Sequence, residues 1–221
     1  MSATQPKKLS EFRLLAMDMD STLITIECID EIADFVGKKA EVAAVTEAAM
    51  RGEIDWPASL RQRVALLAGL DESALQEVYD QRLRLSPGAE TLVAAAKDAG
   101  IYTLLVSGGF TFFTNRLKQR LGLDAAFSNQ LEIIDGKLTG QVLGPLCDAD
   151  AKAQHVRDCA QQLGASREQI MVIGDGANDL KMMAVAGTSV AFYAKPIVQA
   201  QATTAINAGG LEEVLRHFRA A

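Results

Sequence analysis

Residues Leu14–Leu23 read LLAMDMDSTL, an unbroken apolar run that ends in two carboxylates two residues apart. From Phe12 to Met17 the run is too continuously apolar for a strand with one wet face, so it reads as an interior strand. Side chains two apart on an extended chain share a side, which puts Asp18 and Asp20 about 7 Å apart along it. Two like charges that close, beside a hydrophobic run, need compensation.

Beyond this strand, TIECIDEIADFVG switches to helical spacing, with Ile29, Ile32 and Val36 on one face and Gly37 as its stop. The segment from Lys38 to Leu85 is almost entirely helix-like, and no convincing strand interrupts it. At RLSPGAETLVAAAKDAG the character changes: Ser86 is expected as a cap, Pro87 as the first helical residue, and Gly100 as the exit into the strand Ile101–Ser107. Helix and strand then alternate, with helices over TFFTNRLKQRLG, DAKAQHVRDCAQQLG, NDLKMMAVAG and GLEEVLRHF, and strands over IMVIGD and SVAFY. LEIIDGKLTG reads as a short hairpin at about residues 130–140, turning at Asp135-Gly136. This order predicts an α/β fold: a Rossmann-like, mostly parallel sheet with helices on both faces, plus an inserted small helical cap. Residues 1–27 and 86–221 are expected to form the discontinuous catalytic core and 28–85 the cap, hinged near residues 24–30 and 80–87.

Of the 221 residues 49% are apolar, enough for a well-buried core. Acidic residues number 28 against 22 basic ones, with no Lys/Arg block, so no nucleic-acid partner is expected and a small soluble ligand is. Cys28, Cys147 and Cys159 follow no metal or disulfide spacing and read as buried free thiols in a reducing compartment. MSATQPKKLSEF lacks an apolar stretch of the signal type, and no window approaches a membrane span, so the expected location is cytoplasmic. The expected assembly is a monomer or homodimer.

Open α/β sheets bind ligands at the carboxyl ends of their strands. Three strands end there in polar groups: AMDMD in Asp18 and Asp20, LLVSGG in Ser107, Gly108 and Gly109, and MVIGDGAND in Asp175, Asn178 and Asp179. A hard divalent cation takes oxygen ligands, so Asp18 and Asp175 can share one, and the ion offsets their repulsion. GDGAND lacks the remainder of a calcium-binding loop, and His155 and His217 stand alone, which argues against a zinc site. Phosphate suits the SGG stretch, where a hydroxyl, unobstructed backbone amides and the start of a helix near Thr111 converge. Lys152 occupies the first turn of its helix, an unfavourable place for a cation that points to an anionic partner. No GxxxxGK[ST] and no GxGxxG follow a strand, so P-loop and dinucleotide sites are disfavoured. In SLRQRVALL, Arg63 lies among Leu60, Val64 and Leu67; it either carries its head to solvent or, if that face covers the sheet edge, clamps a carboxylate. Glu27 is either ordinary helix-start electrostatics or a receptor for an ammonium group, and together the two would suit a zwitterionic amino acid.

The combination resembles the haloacid dehalogenase-like phosphohydrolases. DMDSTL is similar to their first motif, SGG to their second, and Lys152 followed after a gap by GDGAND to their third. The likeness runs on through IECIDEIADFVG, SLRQRVALL and LEIIDGKLTG and covers most of residues 12–193. It implies that Asp18 is the nucleophile, giving an aspartyl-phosphate, and Asp20 the general acid/base. It implies Mg²⁺ held by the Asp18 side chain, the Asp20 backbone carbonyl and Asp175, with Asp179 in support. Ser107, Gly108 and Lys152 would bind the phosphoryl oxygens, and Asn178 would arrange the loop. Glu27 would take the ammonium and Arg63 the carboxylate of O-phospho-L-serine, with Met50 and Trp56 as apolar walls. Relatives often carry phenylalanine at the position of Trp56. The expected reaction is release of L-serine and phosphate, the last step of serine biosynthesis. Two rivals are a phosphatase or phosphotransferase for another small phosphomonoester, such as phosphohomoserine, and a catalytically silent metal- or phosphometabolite-binding protein. The silent protein is disfavoured by the presence of both Asp18 and Asp20. Many bacterial relatives carry an added N-terminal regulatory-like domain, whereas the first strand here begins near Phe12, so no feedback control through such a domain is expected.

Overall fold

In the computed structural model, which describes residues 8–50 and 53–217, the opening stretch forms β1, Leu14–Met17, with all four side chains buried. β1 is the central strand of seven. It pairs in parallel with β2 (Tyr102–Phe110) on one side and β5 (Ile170–Gly174) on the other. Outside β2 lie β3 (Ala125–Ile134) and then β4 (Lys137–Leu143); outside β5 lie β6 (Thr188–Phe192) and β7 (Thr204–Ile206). Only β4 runs antiparallel to its neighbour. Period two divides the core: Leu15 and Met17 join one apolar cluster, Leu14 and Ala16 the other, so each face of the sheet must be covered.

The inserted helices are α1 (Cys28–Phe35), α2 (Lys39–Met50), α3 (Trp56–Ala65) and α4 (Ser73–Glu77), followed by a wide, π-helical turn over Val78–Arg82. Ile29 and Ile32 of α1 are buried as the spacing predicts, and Gly37 ends the helix at φ +66°. The two crossings between insertion and sheet run side by side, with Ile24 and Leu85 bridged antiparallel, Thr25 N donating to Arg84 O and Ser86 N to Leu23 O. This pairing keeps Ser86 extended, so it does not cap α5 (Ala89–Asp98). Gly88, in the left-handed region at φ +74°, takes that position, and Ser86 Oγ donates instead to Thr22 O at 2.7 Å.

The hairpin is longer than expected, because β3 begins at Ala125 as a parallel partner of β2 before turning at Asp135 and Gly136, both at positive φ. Its β4 arm is sewn to the inserted helices: Gly69 N donates to Leu138 O, Leu138 N to Leu70 O, and Glu72 N to Gly136 O. The helices α6 (Thr111–Leu121) and α7 (Ala149–Leu163) follow the spacing, while NDLKMMAVAG forms a 3-10 turn leading into the short α8 (Leu180–Met183). Two elements go beyond the sequence reading, α9 (Pro196–Gln199) and β7, and GLEEVLRHF forms a 3-10 helix over Leu211–His217. The three cysteines are free and buried, and among the described residues no helix is long and apolar enough to cross a membrane.

Candidate active site

A cavity of about 540 Å³ opens at the carboxyl ends of β1, β2 and β5 beneath the inserted helices. Asp18 and Asp20 line its floor, joined by Gly108 and Gly109 from β2 and by Asp175 and Asn178 from the loop after β5. The helices close it from above. Asp55 caps α3 by accepting from Ala58 N at 2.7 Å, and α3 then turns Trp56, Ser59, Leu60 and Arg63 into the cavity at the i, i+3, i+4, i+7 spacing of one helix face.

The two carboxylates of the opening stretch lie in different surroundings. Asp18 is buried, and its Oδ1 accepts from Met19 N (2.7 Å) and Lys152 Nζ (2.8 Å), while Oδ2 has no hydrogen-bond partner among the described residues. Asp20 is half-buried; its Oδ1 accepts from Cys28 N at the start of α1 (3.2 Å), and its Oδ2 stands against Gly109. A Cβ on Gly109 would lie 2.9 Å from that oxygen, and one on Gly108 would lie 3.0 Å from the Trp56 ring, so a side chain at either position would displace Asp20 or Trp56. Ser21 bends the chain after Asp20 at φ +54° and donates from Oγ to Glu27 Oε1 at 2.7 Å.

Burial, reinforced by the neighbouring Glu27 charge, pushes the Asp20 carboxyl up to about 7. Asp175 rises to about 6 through burial and the nearby Asp179, and Asp18 is also raised, by burial and by Asp179 against the opposing pull of Lys152. Folding therefore holds a proton on Asp20 at a pH where the unfolded chain has lost it, and the stability this group contributes below its unfolded value is lost as the pH climbs toward 7. In the metal-free protein, carbon-detected NMR should show Asp20 titrating with a midpoint near 7, and a midpoint within half a unit of the ordinary aspartate value would contradict this environment.

Asp18, Asp175 and Asp179 bring carboxylate oxygens within 4.8 Å of one another. Lys152, 1% exposed, holds Asp18 and Asp179 at 2.8 and 2.9 Å. Burial draws its ammonium down, but those two carboxylates outweigh burial and keep it above its usual value. Three carboxylates against one ammonium leave two negative charges uncompensated. An all-oxygen donor set with that surplus fits a hard divalent cation. Asp179 is the most engaged of the three, since its Oδ2 already accepts from Asp175 N and Gly176 N at 3.1 and 3.0 Å.

Of the residues singled out in the sequence, Asp18, Asp20, Glu27, Trp56, Arg63, Gly108, Asp175 and Asn178 border the cavity. Ser107, Lys152 and Asp179 are fully buried behind its wall, and the Met50 side chain lies outside the described residues. Arg63 is not carried to solvent: its guanidinium is drawn below its usual value by burial and supported by the charges of Asp30, Glu27 and Asp20.

Three supporting residues escaped the sequence reading. Thr22 Oγ1 donates to Asp175 Oδ1 at 3.0 Å. Asn129 donates to Gly108 O at 2.7 Å and accepts from Cys147 N at 2.8 Å, spanning the place where the β2–β3 register shifts. Asp30 lines the cavity one turn after Glu27. A polar Asn inside the otherwise sheet-like AAFSNQLEII was the one available signal.

The model of the haloacid dehalogenase-like hydrolase family matches residues 15–184. A phosphoserine phosphatase from Polaromonas sp. strain JS666 is 58% identical over 218 residues, covering 96% of this chain and 92% of that protein. A phosphoserine phosphatase solved as a phospho-aspartyl intermediate analogue superposes with a TM-score of 0.87 at 39% identity, over 96% of this chain and 100% of the other. One solved with substrate bound gives a TM-score of 0.87 at 38% identity, over 94% and 99%.

Proposed function

This chain belongs to the haloacid dehalogenase-like hydrolases, and from that premise we propose that it hydrolyses O-phospho-L-serine to L-serine and phosphate, completing serine biosynthesis. The observation that carries this reading is the unequal pair Asp18 and Asp20 at the floor of a cavity whose roof bears Arg63 and Glu27.

Asp18 Oδ2, free of hydrogen bonds while Oδ1 is held, attacks phosphorus, forming an O–P bond as the bond to the serine oxygen breaks. Asp20, protonated up to about pH 7, gives its proton to the departing serine oxygen. Left as a carboxylate, Asp20 then takes a proton from water, which attacks the aspartyl-phosphate and returns Asp18. Ser107 Oγ, fully buried, accepts from Gly109 N at 2.8 Å and so fixes the Gly108–Gly109 backbone against which the phosphoryl group would lie. Lys152 counters charge from beneath Asp18. Mg²⁺ would be held by Asp18, Asp175 and the Asp20 carbonyl with Asp179 in support, where it would neutralise the phosphoryl group. Glu27 receives the substrate ammonium and Arg63 its carboxylate, with Trp56 as an apolar wall. We place the reaction in the cytoplasm, where free cysteines persist.

Phosphate release from phosphoserine, phosphothreonine, phosphohomoserine and simple sugar phosphates, with Mg²⁺ and with EDTA, tests the reading. Phosphoserine is expected to lead the panel and EDTA to silence it. Arg63→Ala should cut kcat/KM for phosphoserine by about 10²-fold or more and spare a phosphomonoester without a carboxylate. Preference for another compound, or equal losses on both substrates, would reject the assigned substrate.

A further inference from the structure

The carboxyl end of β6 delivers a residue that neither the three strand-end motifs nor the mechanism has used. We infer that Lys195, on the loop after β6, is the phosphate-recruiting residue at the mouth of the cavity; this rests on the reading of the site as one for a phosphomonoester.

Lys195 lines the cavity beside Asp175, Gly176 and Asn178, yet is exposed. Its loop is built rather than slack. Tyr193 occupies the left-handed region at φ +45°, unusual for a bulky residue, held there by its N–H on Ile206 O and its hydroxyl on Gly209 O. Gln199 Nε2 donates to Ala194 O, Lys195 N donates to Asp175 O at 3.3 Å, and Pro196 restricts Lys195 to its extended backbone, φ −62° and ψ 150°. The Lys195 backbone is thereby tied to the same loop that carries Asp175, and its ammonium pairs with no carboxylate among the described residues.

Charge supplies the role. The cavity wall carries Asp18, Asp20, Glu27, Asp30 and Asp175 against Arg63 and Lys195. Lys152 is paired with Asp18 and Asp179 beneath the floor, and Arg63 is half-buried near Asp30, Glu27 and Asp20. Of the cations lining the cavity among the described residues, Lys195 alone is exposed, so it is the one a phosphomonoester dianion meets on approaching this acidic wall. An exposed charge of that kind acts on encounter, and its effect is screened by salt.

The experiment is steady-state kinetics of the Mg²⁺-loaded wild type, Lys195→Gln and Lys195→Arg across ionic strength, on phosphoserine and on para-nitrophenyl phosphate, with inorganic phosphate as a competitive inhibitor. At low salt Lys195→Gln should lower kcat/KM about tenfold on both substrates, mainly through KM, and weaken phosphate inhibition to the same degree. The gap should close at high salt, and Lys195→Arg should recover most of it. Wild-type kcat/KM and salt slope in Lys195→Gln, or a loss in kcat that persists at high salt, would overturn the inference. If the wild type turns over para-nitrophenyl phosphate but not phosphoserine, the substrate reading fails, while the same comparison on the nitrophenyl ester still decides the role of Lys195.

Discussion

Asp18→Asn is expected to lower phosphate release from phosphoserine by roughly 10⁴-fold or more while leaving the metal-free fold at least as stable as the wild type. The activity loss follows because the amide has the shape of the carboxylate but no charge with which to attack phosphorus. The stability expectation runs against the habit of treating a buried ion pair as a fastener. Burial and Asp179 raise the Asp18 carboxyl despite Lys152, so holding it ionised at neutral pH costs the fold free energy. The amide removes that cost, and Lys152 retains Asp179 at 2.9 Å. Phosphate release and thermal unfolding in EDTA give the two readouts. Turnover within tenfold of wild type would sink the nucleophile assignment, and a clearly lowered unfolding midpoint would sink the electrostatic account.

Lys152→Met should have the opposite profile, losing stability and activity together. The side chain is enclosed, and its ammonium is the cation between Asp18 and Asp179. Methionine fills much of the space but leaves two buried carboxylates facing each other with Asp175 nearby, a situation that costs about 3–5 kcal/mol. Because protonation relieves that repulsion, the deficit should be large at pH 8 and shrink as the solution is acidified. Urea unfolding of the metal-free variant at both ends of that range measures it. Adding Asp179→Asn should return part of the stability and none of the turnover. A deficit under about 1 kcal/mol at pH 8 would mean that Lys152 does not balance the cluster.

The parts of this molecule legible in its sequence are those in which local chemistry and long-range packing agree. LLAM and IMVIG are apolar throughout because both faces of the sheet are covered, and both are interior strands. Asp135-Gly136 turned the hairpin as its chemistry requires. Where tertiary contacts override the local signal, the reading slipped. Ser-Pro at 86–87 looks like a helix start, but pairing with the outgoing crossing holds it extended and hands the cap to Gly88. SGG reads equally as a turn, yet β2 continues through it to Phe110 because Asn129 takes up the strand-end carbonyls. TTAI is too short and polar to announce β7, which forms by pairing with β6. At the site, most of the residues bearing charge were visible as motifs. Thr22, Asn129 and Asp30 were not, since each acts through a neighbour more than 20 residues distant or through a cavity that exists only once the helices close over the sheet.

The seam between the β4 arm and residues 69–72 has a mechanical meaning for the helices above the cavity. Held only by its neck, the side-by-side crossings at Ile24 and Leu85, such a body turns on a ball joint and can wobble in any direction. The second attachment at Leu138 and Gly136 adds a fastening on another strand and removes that freedom. Arg63 and Glu27 are thereby held over the sheet edge in one orientation, a constraint set by hydrogen bonds that lie outside the cavity.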